Sequence, residues 1–153
     1  MMANQGGPRG AHTSSEGAEG NRWNVQMTLP TASRSVRLAR QATRDALTTW
    51  RLAYLEETAV LLVSELVTNA VRHARGNDAI TLELQAAGTR LRIEVADADP
   101  RWPQPRTPAG FDGSGYGFVL VDALAGKWGV RETATGKAVW AELDERPSDE
   151  PRN

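Results

Sequence analysis

The feature that most constrains this chain is a pair of β-hairpin signatures. Ile80 to Gln85 and Leu91 to Asp97 flank the turn Ala87-Gly88-Thr89, and Lys127 to Thr133 and Lys137 to Leu143 flank Ala134-Thr135-Gly136. Turns this short suit antiparallel strands, whereas parallel strands need a crossover of about a dozen residues or more. A further segment, Trp23 to Leu29, alternates Trp23, Val25, Met27 and Leu29 with polar residues, as a strand with one buried face does, and Pro30 breaks it.

Helical spacing fills the gaps between these strands. Thr31 or Ser33 can cap a helix carrying Val36, Leu38, Ala39, Ala42, Ala46 and Leu47 on one side and ending near Trp50. A second, about Glu56 to Ala74, presents Ala59, Leu62, Val63, Leu66, Val67 and Ala70, and Gly76-Asn77-Asp78 ends it. Gly117 to Ala125 reads as a short third helix. The order β-α-α-β-β-loop-α-β-β predicts an α+β fold, a two-layer α/β sandwich with a mostly antiparallel sheet and helices on one face.

With 153 residues, the chain has the length of one domain. That domain is expected over residues 21–144. The arm 1–20, rich in Gly, Ser and Ala, and the charged tail 145–153 have too few bulky apolar residues to repay ordering entropy, and both are expected to be disordered.

Composition removes several classes of function. A net charge of −1 gives no basic footprint for nucleic acid. Lysine occurs only at Lys127 and Lys137, and no Walker-type phosphate loop is present. With no cysteine and only two histidines, His12 and His73, neither a disulfide framework nor a catalytic zinc centre can be built. The first residues lack an apolar signal core and no aliphatic run is long enough to span a bilayer, so a soluble cytoplasmic protein is expected.

Three groups of residues carry possible chemistry. Glu65 and Asn69, at i and i+4, put a carboxylate and an amide roughly 6 Å apart on one side of the second helix. The amide oxygen suits Mg²⁺, and the carboxylate could take a proton from an attacking hydroxyl; a solvated helix edge would use the same residues. His73, one turn further, can approach a phosphate or simply favour the helix dipole. Asp97 ends a strand, where a carboxylate can accept from the exocyclic amine of adenine, although Asp97-Ala98-Asp99-Pro100 is also ordinary turn chemistry. Gly113, Gly115 and Gly117, with Tyr116 and Phe118 among them, open a helix where convergent backbone N–H groups can seat phosphates. The segment 98–112 holds four prolines and reads as a long functional loop, with Trp102 able to touch a partner or fold over a nucleotide.

The string Glu65-Leu-Val-Thr-Asn69-Ala-Val-Arg-His73-Ala resembles the N box of the GHKL, or Bergerat, ATP-binding family. With Asp97, Gly115-Tyr116-Gly117-Phe118 and the closing Gly136-Lys137-Ala138-Val139-Trp140-Ala141, it is similar to the anti-sigma-factor serine kinase branch of actinobacteria. The resemblance implies ATP with Mg²⁺, Asn69 as metal ligand, Glu65 as general base, Asp97 on the adenine amine and the Gly113 to Gly117 turn on the phosphates. It further implies a lid between Asp97 and Gly115, control of a sigma factor, phosphorylation of a serine on a STAS-type antagonist, and a homodimer.

Two departures accompany it. Ala98-Asp99-Pro100 replaces the glycines that follow the strand-end Asp in the wider superfamily. Ala138 stands where the resemblance places a threonine whose hydroxyl helps fix adenine through water, so weakened nucleotide affinity is expected. The leading expectation is therefore a regulatory serine kinase, and the alternative is a non-catalytic, nucleotide-gated binding module. A sensor histidine kinase fragment fits poorly, because no phosphoacceptor-histidine helix is present.

Overall fold

The structure is a computed structural model that describes residues 12–15, 22–73, 79–98 and 120–144. Its elements run β1 (His12–Ser15), β2 (Arg22–Leu29), α1 (Arg34–Thr49), α2 (Glu56–His73), β3 (Ile80–Ala87), β4 (Arg90–Asp97), β5 (Lys127–Glu132) and β6 (Lys137–Asp144). A short 3-10 turn, Ala53–Leu55, precedes α2, and residues 120–124 are helical.

Every pairing in the sheet is antiparallel, and the strand order is β1-β2-β3-β4-β6-β5. Both expected hairpins form. Gly88 turns the first at φ +65°, a conformation that glycine adopts without Cβ strain. Thr133 and Gly136 close the second through Thr133 N–H to Gly136 O at 3.0 Å and Gly136 N–H to Thr133 Oγ1 at 2.9 Å.

Alternation along the strands sorts the sheet into two faces. Met27 and Leu29, Ile80, Leu82 and Leu84, Leu91, Ile93 and Val95, and Val139, Ala141 and Leu143 form one buried cluster with Leu47, Leu55, Leu62, Val63, Leu66 and Val67 from the helical layer. The helices thus cover one face, as the two-layer sandwich requires, and the other face carries Asn24, Glu83, Gln85, Arg92, Glu94 and Glu142. No helix of the described residues is long and apolar enough to cross a membrane.

Two details depart from sequence expectation. His12–Ser15, inside the arm expected to be disordered, pairs with β2 as an edge strand. Edge pairing is made by backbone hydrogen bonds, which composition does not register. Helix α1 has Ser33 at its N-cap position without a side-chain cap bond, while Ser35 Oγ donates instead to the Pro30 carbonyl. Its far end closes as a Schellman motif, with Arg51 N–H on Thr48 O and Leu52 N–H on Leu47 O. Arg51 occupies the left-handed position at φ 61°, where glycine is usual.

Candidate functional site

Helix α2 begins with Glu56 and Glu57 and ends with Arg72 and His73, charges of the signs that its dipole favours. Its apolar stripe is buried against the sheet. Asn69 sits beside that stripe and is 9% exposed, Glu65 is half-buried one turn earlier, and His73 is exposed one turn later. Among the described residues, the buried amide nitrogen Asn69 Nδ2 has no hydrogen-bond partner. Helix α2 packs against β3 and β4.

Asp97 is the last residue of β4. It shares the parity of Leu91, Ile93 and Val95 and therefore points to the helical side. Its register partner on β6 is Lys137, whose Nζ donates to both carboxylate oxygens at 3.0 and 3.1 Å. Both side chains are 7% exposed.

Gly136 makes this approach feasible. A Cβ there would lie 2.7 Å from Ala98 Cα and closer still to the Asp97 carbonyl oxygen, so the hairpin can press against the end of β4 only without a side chain. The expectation for Ala138 needs correction here. Ala138 pairs with Ala96 and Arg131, and strand alternation turns its methyl to the opposite face from Asp97. A threonine hydroxyl at 138 would point away from the Asp97 carboxylate, so the missing hydroxyl is no argument against adenine. Lys137, not Ala138, is the β6 side chain that meets Asp97.

The helical residues 120–124 are anchored by fully buried Val121, by Ala125 N–H on Val121 O at 2.9 Å, and by Trp128 Nε1 on Asp122 Oδ1 at 2.9 Å. Gly113, Gly115, Tyr116, Gly117 and Phe118, together with most of the 98–112 loop and Trp102, lie outside the described residues. The structure therefore puts Glu65 and Asn69 one turn apart on α2, places Asp97 at the end of β4, and leaves His73 exposed. Lys137 is the residue that sequence reasoning missed; the available signal was a lysine, one of only two in the chain, directly after a turn glycine.

A cavity of about 450 Å³ lies elsewhere, at the opposite end of the sheet around Arg22, Asn24, Gln85, Arg90 and Arg92. None of the candidate site residues lines it.

An antiparallel sheet backed by helices, with a buried amide on α2 and an acid ending β4, defines an α/β sandwich of the nucleotide-binding kind. The chain belongs to the histidine kinase-like ATPase domain family, whose model matches residues 29–143. An ATP-binding regulatory function goes with that family. The chain is also similar to an uncharacterized protein of Streptomyces coelicolor, 35% identical over an alignment of 94 residues that covers 59% of this chain and 90% of that protein.

Proposed function

We propose that this protein is an ATP-binding, anti-sigma-factor-like serine kinase that phosphorylates a STAS-type antagonist and so controls a sigma factor. The observation that carries the nucleotide part is the buried amide nitrogen of Asn69, which has no partner among the described residues. Leaving such a group unpaired costs about 1–3 kcal/mol, and a persistent orphan asks for a ligand that completes it. An amide offers an oxygen for a cation and an N–H for a phosphate, so the residue fits a magnesium-nucleotide complex.

Among the described residues no group of three or more His, Asp or Glu could hold a metal by itself. Asn69 would hold Mg²⁺ together with phosphate oxygens and water, the way this ion is usually bound. When bound, the ion would offset negative charge on the transferred group. Glu65 accepts the proton of the serine hydroxyl as that oxygen bonds to the γ-phosphorus and ADP departs. Asp97 accepts from the exocyclic amine of adenine, and the Gly113 to Gly117 turn seats the phosphates. The sigma factor, the STAS antagonist and a homodimer rest on the motif resemblance.

The test is transfer of labelled γ-phosphate from ATP to a purified STAS-domain protein. Transfer that requires Mg²⁺ and disappears in Glu65→Ala and Asn69→Ala supports the kinase. If ATP binds and no STAS protein is labelled, the kinase assignment fails and a nucleotide-gated binding module takes its place. In that case Asn69→Ala alters partner affinity with no phosphoprotein formed.

A further inference from the structure

We infer that the cavity at the far end of the sheet from Asp97 is a second binding site, one for a small molecule that carries two or more carboxylate or phosphate groups. It shares no residue with the proposed nucleotide site and does not depend on that reading.

The hollow follows from strand register. Arg22 on β2 pairs with Ala87 on β3, and Ala87 pairs with Arg90 on β4, so a methyl group lies between two long cationic side chains on the face away from the helices. Asn24, Gln85, Arg92 and Glu142 make the next cross-strand row on that face. Trp23 and Ala86 also border the cavity, but strand alternation turns their side chains to the helical layer, where Trp23 stacks on Trp50 with ring centroids 6.1 Å apart. Beside Ala87 the floor is therefore sheet backbone. Arg90 and Arg92 are about 7 Å apart along β4, and Arg22 lies two strand spacings, about 9–10 Å, from Arg90. The volume they border, about 450 Å³, is in the range of small-molecule pockets and much larger than a single tetrahedral anion needs.

Charge decides what can fill it. The lining carries three guanidinium groups and one carboxylate, a local excess of positive charge in a chain whose net charge is −1. The carboxylate, Glu142, is engaged by Arg92 at 3.0 Å. Asp144 reaches Arg90 only at 3.4 Å, and with the two side chains 43% and 56% exposed this pair holds its arginine weakly. Arg22 has no ion-pair partner among the described residues. Each guanidinium presents five N–H donors and no acceptor, so Arg22 and Arg90 keep most of their donors unspent. Arginines gathered without matching acids repel one another, and an anion relieves that repulsion. The planar fork takes two oxygens of a carboxylate or phosphate at once, and three forks spaced this way reward a ligand with more than one such group.

The test is calorimetric titration of the full chain, without divalent metal and at constant ionic strength. The probes are pyrophosphate and citrate, with inorganic phosphate and acetate as their single-acid counterparts. Wild type is expected to bind at least one polyanion with a Kd below about 1 mM, and about tenfold or more tightly than its single-acid counterpart. The polyanion that binds more tightly tells phosphate chemistry from carboxylate. Arg22→Gln is expected to lose about tenfold in affinity, as a hydrogen bond to a charged group is lost. Ala87→Glu, which sets an acid between the arginines, is expected to abolish binding. Both positions are exposed, so urea unfolding of the variants is expected to match wild type. No binding of either polyanion at about 10 mM, or binding no tighter than that of the single acids, would overturn the inference. Polyanion binding undiminished in Arg22→Gln and Ala87→Glu would overturn it as well, by putting the anion elsewhere on the protein.

Discussion

Strand β4 carries two buried acids, Glu94 and Asp97, and they are neutralised in different ways on opposite faces of the sheet. Glu94, with a side chain 10% exposed, lies on the face away from the helices and pairs with Arg131 and with Arg92 Nε at 3.5 Å. Those guanidinium groups remain wet, at 54% and 27% exposure, and Arg92 also reaches Glu142 at 3.0 Å while stacking 4.4 Å from the Trp140 ring. Planar, weakly hydrated arginines can lie flat over a sheet and share several acceptors. Asp97 has Lys137, a compact cation as buried as the acid itself. The first arrangement shields a sheet face at little desolvation cost; the second concentrates charge in the layer where a ligand is expected.

The sharpest way to break this contrast is to remove one partner of each pair. Lys137→Met leaves the Asp97 carboxylate buried without its lysine, and urea unfolding should show a loss of about 3–5 kcal/mol. The double variant Asp97→Asn, Lys137→Met should recover much of that loss, because both charges of the buried pair are then removed. Gly136→Ala forces the hairpin away from Asp97 and should cost about 1–3 kcal/mol while weakening ATP binding. Glu94→Gln should cost only about 1 kcal/mol, since its arginines stay solvated, and should leave ATP affinity unchanged. A Glu94→Gln loss as large as that of Lys137→Met would erase the distinction between the two acids. As a control remote from both, Arg51→Gly relieves a left-handed backbone position and should raise stability by about 0.5–1 kcal/mol with no effect on nucleotide.

Local signals were read well and distant ones poorly. The hairpin turns at Gly88 and Gly136 are written in residues next to one another, and α2 was legible from its apolar spacing to within a residue of its observed end. The Glu65 and Asn69 pair was visible for the same reason. The juxtaposition of Asp97 with Lys137 joins residues 40 apart in sequence, and no local turn fixes that register. One residue of slip exchanges the two faces of a strand, so the face that Ala138 or Lys137 presents could not be read without the β4–β6 register. Strand β1 escaped notice because its edge pairing depends on backbone groups, and the depth of Asn69 depends on how α2 seats against the sheet.

The most direct test of the central claim is a calorimetric titration of ATP with Mg²⁺ into wild type and Asn69→Ala, run beside urea unfolding of both. If the buried amide nitrogen is kept for a nucleotide, wild type binds ATP and the variant loses about tenfold or more in affinity without losing stability, because alanine removes a group whose unpaired burial costs about 1–3 kcal/mol. No purine binding by wild type at millimolar concentration, or undiminished binding by an Asn69→Ala protein that has lost stability, would contradict it.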